Sequence, residues 1–386
     1  MTTPRRTFAI ASVAVALTAT WLVLAFGTDL GPAQRSCLVH GGAWPMLDWN
    51  FVRLAADFPD AYVKTDLPEV FPGSGPIERA DVCNPALPML LVRLFPATFG
   101  GGLAVTLVGV FAYLAAAVLY LRRRSGGATF WSVAALAATL PFLFAVQVGN
   151  VILYAAAAGV VFLALYDAES RSERIAAALA LSFAFAVKIS PAALGVLYFA
   201  AWRRQRRYAV LAAAAGVLLL AVPFAAYGGA AGFAEWLACA AANTQKYEFR
   251  NVIGLYGVFY ALGRSLGRYP DWYASAHALV HALSAVLGAG ALAMSAWRKA
   301  AASERAFLAT AGMLMLPPTM MIYTLLFALP AILALPGRAA AVTFVALACP
   351  LQLFVGGGSL QPIFSAGAFL FLVFDCLFMA KKDRDP

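Results

Sequence analysis

Charged residues are scarce in this chain. Only 12% of its 386 residues are Asp, Glu, Lys or Arg, while 63% are hydrophobic and the mean hydropathy is +0.80. Soluble domains carry about 25% charged residues and about half apolar ones. The composition therefore excludes a water-soluble globular domain and indicates an integral membrane protein.

Histidine, cysteine and the common catalytic motifs are sparse as well. The chain has three histidines, and it contains no HExxH zinc motif, GxSxG elbow, Walker loop, Rossmann fingerprint or CxxC pair. Nucleotide-dependent and dithiol redox chemistry therefore lack support, and no metal is indicated. Of the five cysteines, Cys37 and Cys83 share the first hydrophilic loop, and the sequence leaves open whether they form a disulfide or stay as two thiols.

Positive charge is concentrated at the borders of apolar runs. Eighteen of the 28 Lys and Arg residues lie at the chain ends or in short gaps, at Arg5, Arg6, Arg122, Arg123, Arg124, Arg171, Arg174, Arg203, Arg204, Arg206, Arg207, Arg298, Lys299, Arg305, Arg338, Lys381, Lys382 and Arg384. Such clusters beside membrane spans mark the cytoplasmic side. Membrane topology therefore explains the net charge of +10, and a nucleic-acid partner is rejected.

Apolar stretches of about twenty residues, the length that crosses a bilayer, recur along the chain. Candidate spans are 8–27 (an uncleaved anchor), 100–121, 208–227, 273–296, 339–356 and 361–380. Shorter pairs between the basic clusters are 128–145 with 151–166, 175–187 with 190–202, and 306–316 with 319–336, although 175–202 also suits a single tilted span. Residues 1–386 are thus predicted to form one all-α polytopic membrane helical bundle of about twelve apolar segments, with both termini cytoplasmic.

The shorter pairs meet at polar residues: Gln147-Val-Gly-Asn150, Lys188-Ile-Ser-Pro191 and Pro317-Pro318-Thr319. Proline removes a helix hydrogen bond, and in lipid the freed backbone groups must be buried in protein or face a water-filled cavity. Three such breaks predict one shared cavity. The amides of Gln147 and Asn150 suit either sugar hydroxyls or the freed backbone groups themselves.

Lys188 is the most anomalous charge, because it lies between apolar runs and far from any basic cluster. An ionisable group at that depth costs at least ~2.5 kcal/mol and indicates a functional site. An ammonium there suits a phosphate leaving group. The alternatives are snorkelling to the interface or an ion pair that holds the helix break.

Two hydrophilic loops are predicted on the outer side, 28–99 and 228–271. Asp48 heads the amphipathic stretch DWNFVRLAADF in the first loop, which predicts a helix on the membrane surface. Its carboxylate is a candidate general base, and helix capping is the alternative. In the second loop, Lys246 and Arg250 suit an anionic lipid head group or an ordinary interfacial anchor.

The order of these features resembles glycosyltransferase family 87, polytopic enzymes of the GT-C fold that include mannosyltransferases using polyprenyl-phosphate mannose. Five features are similar to the family pattern: the single span before Asp48, the Pro-rich CNPALP, the QVGN break, KISP followed by WRRQRR, and LPPTMMIYTLLFALP. In the last of these, Tyr323 stands where relatives often have histidine. The resemblance implies an inverting, metal-independent transferase without cofactor. Asp48 would be the base, Lys188 with Lys246 or Arg250 would hold the lipid phosphate, and Gln147, Asn150 and Tyr323 would bind substrate.

The resulting expectation is a plasma-membrane hexosyltransferase. It would move a hexose, with mannose as the first choice, from a polyprenyl-phosphate donor to a lipid or glycan acceptor on the extracytoplasmic face. Broken helices and an intramembrane lysine are also features of transporters, so a transporter or flippase for an envelope precursor is the alternative. A silent scaffold and a polymerase with a pyrophosphate-linked donor are further interpretations.

Overall fold

The computed structural model describes residues 3–27, 47–58, 60–62, 84–126, 130–246, 255, 258–259, 269–298, 300–317, 322–348 and 360–379. Within them the chain is helical and has no strand, which confirms the predicted all-α class. The α-helices, numbered in chain order, are α1 (Thr3–Gly27), α2 (Leu47–Ala56), α3 (Ala86–Val92), α4 (Phe99–Arg124), α5 (Phe130–Ala137), α6 (Leu140–Val148), α7 (Ile152–Leu165), α8 (Arg171–Val187), α9 (Trp202–Ala221), α10 (Gly229–Lys246), α11 (Tyr269–Trp297), α12 (Ala302–Met315), α13 (Leu329–Ala334), α14 (Arg338–Ala348) and α15 (Leu360–Phe374). Further helical turns are the 3-10 helices Ser190–Ala201, Val222–Ala226 and Ile322–Phe327 and the π-helix Asp375–Met379.

Three helical stretches of the described chain are long and apolar enough to cross a membrane: Phe99–Arg124, Ser190–Ala226 and Ala278–Trp297. The bent pair α5–α6 would make a fourth. The predicted number of about twelve apolar segments is therefore not confirmed. Within the described residues, examples of helices shorter than eighteen residues are α7, at the predicted segment 151–166, and α14, in the described part of the predicted segment 339–356.

The stretch from Ser190 to Ala226 folds back on itself at Ala201. Arg174 near the start of α8 lies over the ring of Tyr208 near the start of α9, and Ser182 further along α8 donates to the Ala212 carbonyl at 2.8 Å. The contacts advance in the same order on both helices, so α8 and α9 run parallel. The 3-10 helix Ser190–Ala201 between them must therefore run in the opposite direction. This agrees with two separate segments, 175–187 and 190–202, and excludes a single tilted span.

The predicted span 128–145 is bent by 63° between α5 and α6, a break that the sequence analysis did not predict. Thr139 is extended (φ −79°, ψ 143°), and Pro141 occupies the first turn of α6. The Ala138 carbonyl at the bend accepts a hydrogen bond from the Thr18 hydroxyl of α1 at 2.7 Å. A neighbouring helix thus satisfies a backbone group that the bend releases, as an apolar surrounding requires.

Arginine side chains gather at one end of the helices, called here the basic end. Arg124 donates to both carboxylate oxygens of Asp167, and Arg305 lies 4.0 Å from the same carboxylate. Arg6 donates to the Leu335 carbonyl, and Arg298 donates to the Cys376 and Leu377 carbonyls. These contacts tie together the first residues of α1 and the ends of α4, α7, α11 and α13.

Helices α2 and α3 pack at the opposite end. Trp49 of α2 is fully buried, and a Cβ placed on Gly102 of α4 would lie 2.6 Å from its Cδ1 atom. The close approach of α2 to the start of α4 therefore depends on that glycine. The predicted helix is confirmed as α2, and its buried face (Trp49, Val52, Ala55 and Ala56) packs on protein.

Candidate functional site

Residues from three separate helix ends meet at the end opposite the basic end. The Lys188 ammonium nitrogen lies 5.9 Å from the centre of the Tyr323 ring, and that ring stacks on Phe144 with centroids 6.0 Å apart and planes 11° apart. We call Phe144, Lys188 and Tyr323 the Lys188 cluster. It joins the last turns of α6, the residue that follows α8 and the 3-10 helix Ile322–Phe327.

Lys188 lies in the Lys188 cluster because α8 ends at the residue before it. Its backbone is extended (φ −144°, ψ 132°), while its N–H still donates to the Ala184 carbonyl at 2.9 Å. Pro191 then opens the returning 3-10 helix. The Lys188 side chain is half-buried, and no carboxylate of the described residues lies within ion-pair distance of it. The alternative of an ion pair that holds the break is therefore not found within that part of the chain.

Helices α4 and α7 hold the 3-10 helix that carries Tyr323. Tyr113 of α4 donates to the Leu326 carbonyl at 3.0 Å, and the Phe327 ring covers Gly159 of α7, where an added Cβ would lie 2.7 Å from a ring carbon. Leu325, Leu326 and Phe327 are fully buried. Tyr323 therefore lies on a segment that is held in place by buried contacts.

Gln147 and Asn150 differ in what their amides do. Gly149 ends α6 in the left-handed conformation (φ 65°, ψ 39°), and the Asn150 Oδ1 atom accepts from the Ile152 N–H at 2.7 Å. Asn150 thus satisfies a backbone group freed at the start of α7. The Gln147 Oε1 atom, one turn after Phe144 on α6, is buried and has no hydrogen-bond partner among the described residues. Gln147 therefore retains an acceptor that a ligand can use.

Asp48 lies in the first turn of α2, and its side chain falls outside the described residues. Helix α2 contacts α6, the helix that carries Phe144 and Gln147. The fold therefore brings the backbone of α2 to the end of the molecule that holds the Lys188 cluster. Of the other two predicted phosphate ligands, Lys246 is the last residue of α10 with no described side chain, and Arg250 lies outside the described residues.

Two other acids of the first loop have described side chains. Asp57 pairs with Arg53 of α2, with 2.5 Å between the charged atoms, and Arg53 also donates to the Phe95 carbonyl. Asp60 is exposed. The Asp57 carboxylate is therefore already paired with Arg53 in an ion pair within α2 and the turn after it.

Nearby, the Tyr227 hydroxyl donates to the Ala56 carbonyl at 3.1 Å, and burial raises the pKa of Tyr227 against the lowering effect of Arg93. Tyr227 therefore holds the end of α2 in place as a neutral hydrogen-bond donor.

Sequence reasoning missed Phe144, because it is one of many apolar residues in LPFLFAVQV and nothing in that stretch distinguishes it. Within the described residues, no three His, Cys, Asp or Glu side chains are grouped to hold a metal ion. Cys239 and Cys376 are buried and form no disulfide within the described residues, whereas Cys37 and Cys83 lie outside those residues.

The apolar helices break at polar residues, and these breaks lie at one end of the molecule. This arrangement is that of a polytopic membrane protein with a polar site at its helix ends. The family model described as glycosyltransferase family 87 matches residues 85–324, more than half of the chain. The chain belongs to that family and is a glycosyltransferase. Comparison with curated proteins and with solved structures gave no match. The matched region contains Gln147, Asn150, Lys188 and Tyr323, and it begins after Asp48.

Proposed function

We propose that this glycosyltransferase takes a hexose, with mannose as the first choice, from a polyprenyl-phosphate donor and transfers it to a lipid or glycan acceptor. The basic end faces the cytoplasm, in accord with the positive-inside rule. The Lys188 cluster lies beyond the far end of α8, a helix of 17 residues and therefore about 25 Å long. The reaction accordingly takes place at the extracytoplasmic face of the plasma membrane.

The observation that carries the proposal is the environment of Lys188. Its ammonium group is half-buried, rests beside an aromatic face, and is paired with no carboxylate of the described chain. A cation in such a position is stabilised when an anion joins it. A polyprenyl phosphate supplies that anion, and its isoprenoid tail remains in the lipid beside the helices.

The chemistry follows from the charges that develop. The acceptor oxygen attacks the sugar C1 atom, the bond between C1 and the phosphate oxygen breaks, and the polyprenyl phosphate leaves with one more negative charge. Lys188, with Lys246 or Arg250, stabilises that charge. Asp48 takes the acceptor proton as general base. Gln147 binds a sugar hydroxyl, Asn150 holds the adjoining turn, and Tyr323 supports the sugar ring.

The direct test uses purified protein with a polyprenyl phosphate that carries a radiolabelled hexose. Lys188→Ala should lower kcat/KM for the donor by about 100-fold or more, since removal of one charge-stabilising donor typically costs 10²–10³ in rate. Lys188→Arg should recover part of the loss. Arg338→Ala, which removes an exposed positive charge at the basic end, is the control and should retain wild-type kinetics.

Unchanged donor kinetics in Lys188→Ala would remove this residue from the site. The same label distinguishes the transporter alternative in sealed vesicles. Labelled donor that crosses the membrane without forming a covalent product would indicate transport rather than transfer.

A further inference from the structure

A second charged site lies at the basic end, where α8 and α9 begin side by side. Because these helices run parallel, their first turns bring together two arginine clusters that are about thirty residues apart in sequence. The members are Arg171, Arg174, Arg203, Arg204, Arg206 and Arg207. All are exposed except Arg174, which is half-buried. We call these six residues with Tyr208 the Tyr208 site.

Tyr208 is the centre of this arrangement. The guanidinium carbons of Arg174 and Arg207 lie 5.0 and 4.9 Å from the centre of its ring. The two positive charges are thus separated by no more than about one Debye length, roughly 10 Å at 0.1 M salt, so they repel each other appreciably. Both make cation–π contacts with the same ring, which lowers the cost of this proximity without neutralising either charge.

No carboxylate of the described residues pairs with any of the six arginines. Glu173, which lies within the cluster, is paired with Arg123, and Glu169 offers Arg174 only its backbone carbonyl. Two other arginines of the basic end are engaged: Arg124 binds Asp167, and Arg298 binds two carbonyls. Excess positive charge is therefore concentrated at the Tyr208 site.

Aromatic and unsatisfied polar groups adjoin these charges. Phe199 and Trp202 stack with centroids 4.9 Å apart and planes 6° apart, although they are 57% and 44% exposed. Exposed aromatic rings beside a basic cluster are typical of a membrane interface. The Gln205 Oε1 atom and the Tyr208 hydroxyl are buried and have no hydrogen-bond partner within the described part of the chain.

We propose that the Tyr208 site binds the head group of an acidic phospholipid in the leaflet that surrounds the basic end. The head-group phosphate would lie between Arg174, Arg203 and Arg207, where guanidinium groups bind phosphate oxygens through paired N–H donors. The Phe199–Trp202 stack would lie along the acyl chains. This lipid is distinct from the sugar donor, since the Lys188 cluster is at the other end of α8.

The test measures lipid binding to the purified full-length protein by native mass spectrometry. The probes are phosphatidylglycerol and phosphatidylcholine with identical acyl chains. The wild-type protein should bind phosphatidylglycerol at least about tenfold more tightly, and the preference should fall as the salt concentration rises. Arg203→Gln with Arg207→Gln should abolish the preference. The control, Arg5→Gln with Arg338→Gln, removes two exposed charges from the same end and should keep it.

Equal affinities for the two lipids in the wild-type protein would overturn the proposal. So would an equal loss in the control variant, because the effect would then belong to the net charge of the basic end. Displacement of phosphatidylglycerol by millimolar inorganic phosphate would show that the site takes a free anion, which also contradicts a lipid site. None of these results depends on hexose transfer, so failure here is distinguishable from failure of the proposed activity.

Discussion

At the scale of single residues, Lys188 and Gln147 bring opposite hydrogen-bonding capacities to the same end of the molecule. An ammonium group offers three donors and no acceptor, whereas the free Gln147 Oε1 atom offers an acceptor. A sugar phosphate carries anionic oxygens, which need donors, and hydroxyl groups, which need acceptors. Asn150 is less available, because its Oδ1 atom already accepts a hydrogen bond from the Ile152 N–H.

Asp48 gives the sharpest prediction at this scale. Asp48→Asn preserves the size of the side chain and removes its capacity to accept a proton. If Asp48 is the general base, kcat should fall by about 10²–10⁴, the usual contribution of such catalysis. The measurement is the initial rate of transfer at saturating donor, together with the thermal midpoint, which should stay at the wild-type value.

Asp60→Asn is the matched control, because Asp60 is an exposed acid of the same loop. It should transfer hexose at the wild-type rate. Near-normal turnover in Asp48→Asn, or an equal loss in both variants, would contradict the assignment of Asp48. Asp57 is unsuitable as a control, since its loss would break the contact with Arg53.

The sequence pointed to some of these residues more clearly than to others. Lys188 was conspicuous because a charge inside an apolar run is costly wherever the chain folds. The separate states of Gln147 and Asn150 depend on the turn at Gly149, which composition does not encode. Tyr323 was reached through the family pattern, and its stacking partner Phe144 required the three-dimensional arrangement.

At the scale of helices, glycines decide how closely pairs approach. Gly288 of α11 and Gly312 of α12 face each other, and a Cβ on Gly312 would lie 2.6 Å from the Gly288 carbonyl oxygen. Backbone atoms cannot yield as a flexible side chain can. The two antiparallel helices therefore owe their spacing to these residues.

We expect Gly312→Ala to separate α11 from α12 and to lower the free energy of unfolding by about 1–3 kcal/mol, the usual cost of overpacking. The measurement is the thermal midpoint of the purified protein in one detergent. Gly290→Ala on α11 is the control, since nothing lies within 4 Å of its added Cβ. That control should be neutral or stabilise the helix by up to about 1 kcal/mol. Equal midpoints for Gly312→Ala and the wild type would contradict this account of the packing.

Helix boundaries followed the sequence where a proline or a polar residue interrupts an apolar run. The ends of α6 and α8 were predicted for that reason. The bend before α6 was not, because Thr139 and Pro141 lie within a long apolar run and the compensating donor, Thr18, comes from a distant helix. Likewise, the 3-10 geometry of Ser190–Ala201 has no distinct periodicity signal in so apolar a stretch.

At the scale of the whole molecule, the two ends carry different chemistry. Arg6, Arg124 and Arg298 mark the basic end, and the Lys188 cluster marks the other. We expect a reporter fused after Gly126 to be cytoplasmic and one fused after Gly228 to be extracytoplasmic, because basic residues are retained inside. Paired fluorescent-protein and alkaline-phosphatase fusions measure this. The opposite result would place the proposed reaction in the cytoplasm and contradict the topology.

If Lys188 holds the phosphate of a polyprenyl lipid, that lipid should remain bound when the protein is purified. Mass spectrometry of the lipids that co-purify with the protein should find polyprenyl phosphate, or its hexosyl form, with the wild-type protein and with Arg338→Ala. Lys188→Ala, purified in the same way and equally folded, should retain at least about tenfold less polyprenyl phosphate per protein molecule. Equal retention by Lys188→Ala, or no polyprenyl phosphate with any of the three proteins, would contradict the account.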